Sequence, residues 1–264
     1  MSQSPHGQII LNYPWFGLML GNSRRHWAKL LGTTVLESWD EENTDQPPTL
    51  KAHLPLLVAS VIPEQSQHWA TTPQVRVLTL ADIPLKGMYS TLGIDRALAV
   101  LGGGIHFGWP ILVIDAGTAL TLTGVDAEQR LVGGAILPGF GLQRSSLAQK
   151  TAALPDIEFP QHLPPRWAMQ TSEAIQSGII YTLLAGIRDF IEAWREQYPN
   201  TALVLTGGDR HLLLSYFTKQ FPDTDIHPVA DAHLIFRGMA ALKTEHKKYT
   251  GYLVASSLQS EAEK

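Results

Sequence analysis

Twice in this chain a short apolar run stops at a glycine turn and then resumes as a second strand-like segment. The first is Trp15-Phe16-Gly17-Leu18-Met19-Leu20, closed by Gly21-Asn22-Ser23. The second is Pro110-Ile111-Leu112-Val113-Ile114, closed by Asp115-Ala116-Gly117-Thr118. An apolar run of this length bounded by turn residues reads as a buried strand, and the turn reads as its link to a hairpin partner. Further strand and helix patterns follow each unit. The chain therefore has the plan of a duplicated α/β protein with a cleft between its halves.

The 264 residues suffice for that plan, and 44% apolar against 17% charged residues supports a sizeable core and excludes global disorder. A formal charge of -4 argues against a duplex-DNA binder with a broad basic face. With no cysteine, disulfide frameworks, thiol catalysis and Cys-ligated zinc or iron–sulfur clusters are excluded. No run approaches the ~20 apolar residues of a membrane span. No Lys or Arg precedes Arg24, so the start lacks a signal-peptide charge pattern. The expectation is a soluble, cytoplasmic protein with no nucleic-acid or membrane partner.

Along the chain, residues 37–51 are acidic, proline-containing and poor in apolar residues, which predicts an exposed loop. Leu54 to Ile62 and Val75 to Leu80 read as strands. A helix is expected from Thr91 to Leu101, stopped by Gly102-Gly103-Gly104. Leu120 to Val125 and Leu131 to Leu137 read as returning strands. Ser172 to about Gln197 is a long helix, with apolar residues at Ile175, Ile179, Leu183 and Ile187. A strand from Thr201, a Gly207-Gly208-Asp209 turn, and helices over His211–Phe221 and Ala232–Lys243 complete the pattern. The expected halves are 1–108 and 109–246, with a flexible tail over 247–264.

Each chemical motif also has an ordinary structural reading. Gly21-Asn22-Ser23 can present backbone N–H groups and small donors to a phosphate, or can be a plain hairpin turn. Asp115-Ala116-Gly117-Thr118 adds a carboxylate suited to holding a cation, or capping its turn. In Gly93-Ile94-Asp95-Arg96, Asp95 can take a proton from a hydroxyl and Arg96 can grip a carboxylate. Otherwise both are ordinary first-turn helix residues. Gly133 to Gly139 and Thr206-Gly207-Gly208-Asp209 permit close backbone approach, and Thr171 reads as a helix cap. No Walker loop, metal-binding His spacing or nucleophile elbow is present.

Taken in order, Gly21-Asn22-Ser23, Gly93 to Arg96, Asp115 to Thr121, Gly133 to Gly139, Thr171 to Gly178 and Thr206 to Asp209 resemble the type III pantothenate kinase family. The resemblance runs from about Phe16 to Ala241, most of the chain. The resemblance implies duplicated actin-like (ribonuclease H-like) halves. It also implies ATP-dependent phosphorylation of pantothenate to 4′-phosphopantothenate, the first step of coenzyme A biosynthesis. On this resemblance Asp95 is the general base, and Gly93, Ile94, Asp95, Arg96, Thr171 and Tyr89 contact substrate. Met19, Leu20, Gly21, Asn22, Ser23, Arg24 and Thr118 contact ATP. Asp115 holds a monovalent cation, K+ or NH4+, with Mg2+ accompanying ATP. A homodimer with its substrate pocket at the subunit contact is implied as well.

Two positions depart from the family pattern. Met19 stands where the first phosphate motif begins with Asp, and a thioether is a poor ligand for Mg2+. The usual substrate-contacting Tyr falls at Lys86, leaving Tyr89 as the nearest phenol. The alternatives are a degenerate relative that binds nucleotide or pantothenate as a regulator, and another small-molecule kinase of the same fold.

Overall fold

The computed structural model describes residues 13–43, 54–62, 64–65, 69, 72 and 74–245. Two five-stranded sheets with the same topology organise them. In the first, β1 (Pro14–Leu20), β2 (Arg24–Leu31) and β3 (Thr34–Glu42) form an antiparallel meander. β4 (Leu56–Ser60) and β5 (Val75–Val77) then add in parallel on the other side of β1, giving the order β3-β2-β1-β4-β5. In the second, β6 (Ile111–Ala116), β7 (Ala119–Val125) and β8 (Leu131–Pro138) form the meander. β9 (Ala202–Thr206) and β10 (Val229–Ala230) add in parallel beside β6. This is the duplicated α/β arrangement that the repeated turn predicts, in the actin-like form that the family resemblance implies.

The longer helices among the described residues are α1 (Ile94–Phe107), α2 (Phe140–Lys150), α3 (Thr171–Gln197), α4 (Arg210–Gln220) and α5 (Leu234–Glu245). Strand alternation decides where they pack. Trp15 and Met19 on β1 and Ile111 and Val113 on β6 share one apolar cluster with α1 and α5, which lie between the two sheets. Leu112 and Ile114 face the opposite way, onto α3 and α4. Leu18 and Leu20 likewise face the outer side of the first sheet, beside Trp27. There Trp27 stacks on Trp39 at 5.8 Å.

The glycine triplet does not end its helix. α1 runs through Gly102, Gly103 and Gly104 to Phe107, because these glycines serve contact rather than termination. A Cβ at Gly102 would lie 2.0 Å from the Leu234 carbonyl oxygen of α5, and one at Gly104 would lie 2.1 Å from the Trp109 ring. The stop is Gly108, whose φ of 97° suits a helix-ending glycine.

Other boundaries also move. Residues 37–42, expected as loop, belong to β3; its acids are tolerated because β3 is an edge strand, where charge protects the open side. The expected strand after Val75 stops at Val77. Asp82 accepts from the Thr79 N–H at 2.8 Å and the Thr79 hydroxyl at 2.9 Å, which folds residues 80–82 into a 3-10 turn. Helix α2 was not expected, since a single buried residue, Phe140, anchors it. The rest of the predicted acidic loop, 44–51, and the tail 247–264 lie outside the described residues.

Candidate active site

The strand ends, the turns and the start of α1 meet at one end of the space between the sheets. Ser23 Oγ and Thr118 Oγ1 are 2.9 Å apart, joining the first turn of one half to that of the other. Gly139 donates its N–H to the Thr118 carbonyl at 2.9 Å, and Asp209 donates its N–H to the Ala116 carbonyl at 2.9 Å. The three glycine turns of the second half therefore close around the end of β6. Gly207 has φ 88°, and a Cβ there would stand 2.4 Å from Asp115 Oδ1, so only glycine lets that turn lie against the carboxylate.

Asp95 lies in the first turn of α1, where its Oδ1 accepts from the Arg96 N–H at 2.8 Å. Gly93 caps the helix with no side chain, and a Cβ would fall 2.4 Å from Asp95 Oδ1. Burial raises the Asp95 pKa above the usual carboxylate range, opposed by the Arg96 N–H and guanidinium. Asp115, at the end of β6, is pushed up to about 7, first by burial and then by the negative charge of Asp95. Two carboxylates thus share one low-dielectric space, and the charge of Asp95 disfavours the ionisation of Asp115.

Arg96 is 7% exposed. Its Nε donates to Thr123 Oγ1 at 2.9 Å, Nη1 to the Tyr89 hydroxyl at 3.1 Å and Nη2 to the Leu122 carbonyl at 3.2 Å. Those bonds use three of the five guanidinium N–H groups and include no carboxylate. A Cβ at Gly134 would meet Nη2 at 2.4 Å, which brings the Gly133-Gly134 segment into the site as the wall behind Arg96.

Most of the expected positions gather here. Gly93, Ile94, Asp95, Arg96 and Tyr89 lie together at the start of α1, and Gly21, Asn22, Ser23 and Thr118 form the facing turns. Arg24 is exposed at the start of β2. Met19 and Leu20 are each 1% exposed with side chains inside the core, so their contact with a nucleotide can come only through the backbone. Lys86 is exposed, with its backbone paired to that of Gln129 and Leu131. Thr171 is the first residue of α3, with Gln170 as its cap, and it lines a separate groove of about 500 Å³ with Gln143, Leu147 and Leu154. No hydrogen bond among the described residues joins Thr171 to Asp95. Thr123 is the residue that sequence reasoning missed; its signal is the Thr121-Leu122-Thr123 alternation, which sets a buried hydroxyl on β7.

A type III pantothenate kinase family model matches residues 53–193. The chain belongs to the type III pantothenate kinase family. Relatives bearing that name include one from Nostoc sp., 45% identical over 258 residues and covering 86% of this chain and 94% of the relative. Another, from Synechocystis sp., is 45% identical over 234 residues, covering 87% and 90%. Among solved structures, a Campylobacter jejuni protein named for the Baf family of transcriptional activators superposes with TM-score 0.62 at 21% identity. It covers 87% of this chain and 98% of that one. A Sinorhizobium meliloti protein named as a candidate 2-dehydro-3-deoxygalactonokinase gives TM-score 0.54 at 15% identity, covering 89% and 97%. These two likenesses establish the fold that the pantothenate kinase family shares with them.

Proposed function

We propose that this chain transfers the γ-phosphoryl group of ATP to the terminal hydroxyl of pantothenate, giving 4′-phosphopantothenate and ADP. The observation that carries the reading is the set Asp95, Asp115 and Arg96 around one space. A base, a cation-seeking carboxylate and a buried guanidinium with two uncommitted N–H groups stand there together.

In this scheme Arg96 receives the substrate carboxylate, and Tyr89 keeps the guanidinium oriented. Asp95 accepts the hydroxyl proton as that oxygen bonds to phosphorus and the bond to ADP breaks. A carboxylate with a raised pKa suits that task. Asn22, Ser23 and Thr118 offer N–H and hydroxyl donors to the phosphates, the Gly21 and Gly117 N–H groups being used to close their own turns, and Thr206 to Asp209 flank the nucleotide. Asp115 fits a monovalent cation: burial first and the charge of Asp95 second hold its pKa up to about 7, and a cation bound there would favour the ionised form. With Met19 at the other strand end, Asp115 is the protein's main carboxylate for cations at the phosphate end, including Mg2+ carried by ATP. A bound cation there supplies positive charge to the transferring phosphoryl group.

In this reading Thr171 contacts substrate in a homodimer whose subunit contact closes the pocket. Exposed apolar residues on the same half, Val132, Ile136 and Leu142, supply surface for that contact. A cytoplasmic location accords with the reaction; among the described residues no helix is long and apolar enough to cross a membrane.

Met19 at the strand position that Asp115 occupies in the other half favours one second reading, a relative that binds ligands without turnover. The test is ATP-dependent pantothenate phosphorylation with Mg2+, with and without K+. Product that depends on K+ supports the kinase. Folded protein that binds pantothenate and makes no product replaces it with the binding relative.

A further inference from the structure

The two sheets carry one row of residues each across their inner faces at the cleft, and the rows differ in their chemistry. In the second sheet the register places Asp115 opposite Thr121 and Thr121 opposite Ile136. In the first sheet it places Met19 opposite His26 and His26 opposite Asp40. Residues directly opposite in an antiparallel pair project to the same face. The first half thus has no acid on its central strand. Its acid stands on the edge strand, with an imidazole between the two.

His26 Nδ1 and Asp40 Oδ1 are 2.7 Å apart. That bond holds the ring by one nitrogen and leaves the other for a ligand. Nε2 lies 3.7 Å from where a Gly21 side chain would begin, so the free nitrogen faces the first phosphate turn. Both side chains remain accessible, His26 at 40% and Asp40 at 47%. Among the described residues no three His, Asp or Glu side chains gather as a metal site, and Asp40 is already committed to the ring. Nε2 donates to an oxyanion only when the ring carries a proton there as well, and a polyphosphate is the ligand whose charge favours that form.

We propose that His26, oriented by Asp40, is a polyphosphate-binding residue of this chain, donating from Nε2 to a phosphate oxygen of the nucleotide seated on Gly21-Asn22-Ser23. With a proton on each ring nitrogen, one N–H goes to Asp40 and the other to the phosphate. His26 brings positive character to a turn whose central strand carries Met19. Asp40 is the positioning residue. The inference rests on the reading of this cleft as a nucleotide site, though not on pantothenate being the acceptor.

Calorimetric titration of the full chain with the β,γ-imido analogue of ATP and, separately, with adenosine tests it. His26→Ala is expected to weaken the analogue about tenfold or more, the scale of one charge-assisted hydrogen bond, and to leave adenosine unchanged. His26→Lys restores most of the loss, and Asp40→Asn gives a smaller loss confined to the analogue. Equal weakening of both ligands, or of neither, overturns the assignment. Should His26→Ala fail to fold, Asp40→Asn at the exposed edge decides by the same comparison. Pantothenate phosphorylation by the wild-type chain is measured alongside. Turnover with unchanged analogue binding in the variants sinks His26 alone. Histidine-dependent analogue binding without turnover sinks the kinase and leaves His26 standing.

Discussion

Ser23 Oγ and Thr118 Oγ1, 95 residues apart in sequence, meet at 2.9 Å between the two halves. Each is a small hydroxyl at a glycine turn, and each can exchange this bond for one to a phosphate oxygen. Thr118→Val removes the hydroxyl at nearly constant volume. KM for ATP should rise about tenfold, the worth of one bond to a charged group, with KM for pantothenate unchanged. Steady-state kinetics with each substrate varied would show it; a pantothenate-only effect would take Thr118 out of the phosphate contact.

Asp95→Asn keeps the shape and the bond from the Arg96 N–H while removing the proton acceptor. The expected result is a fall in kcat of about 10²- to 10⁴-fold, the usual reach of general-base catalysis, with nucleotide affinity retained. Near-normal kcat would assign the proton elsewhere.

The raised pKa of Asp115 has a stability consequence with a definite sign. Its value is about 7 in the folded chain against 3.8 for the free side chain. Between those values the folded state keeps a proton that the unfolded state has lost. Stability therefore falls as pH rises from about 4 to about 7, and this effect levels off above. Asp115→Asn removes the loss, so the ligand-free variant should melt higher than wild type at pH 8 and about equally at pH 4, while its kinase activity drops. Thermal melts at the two pH values check it; a lower Tm at pH 8 contradicts the burial argument.

Met19→Asp restores the family carboxylate but places it where the wild-type side chain is 1% exposed within the apolar cluster of Trp15, Leu98 and Met239. Desolvation should outweigh the gain, lowering Tm by several degrees without raising kcat. Melting curves with and without MgATP decide the matter. A larger MgATP-induced rise in the variant than in wild type would show that the carboxylate has recovered a metal role.

The duplicated plan was legible because each glycine turn sits at the end of an apolar run, a local pattern that needs no tertiary information. Asp95, Arg96 and Asp115 were singled out through the family resemblance, because a short Gly93 to Arg96 match reads equally well as the first turn of a helix. Gly102-Gly103-Gly104 misled because a helix stop and a close helix crossing use the same residue, and only the Leu234 carbonyl facing Gly102 tells them apart. β3 was hidden by acids that an edge strand accepts. The pair His26 and Asp40 depends on cross-strand register, and the partner of Thr123 depends on how α1 packs on β7; both join residues 14 or more positions apart, which local sequence does not connect.

Gly102 lies against the backbone of α5, and Gly238 of α5 in turn lies so near α1 that its Cβ would be 2.3 Å from the Leu98 carbonyl. With main chain pressed to main chain, α1 and α5 cannot slide past each other without driving carbonyls into neighbouring atoms. The two sheets rest on opposite sides of this pair, so their remaining freedom is to roll about it. A small roll about that pair would change the distance between the turns of the two halves. Admission of the nucleotide would then be an angular event, spreading Ser23 from Thr118 while the buried ends of the sheets hold still.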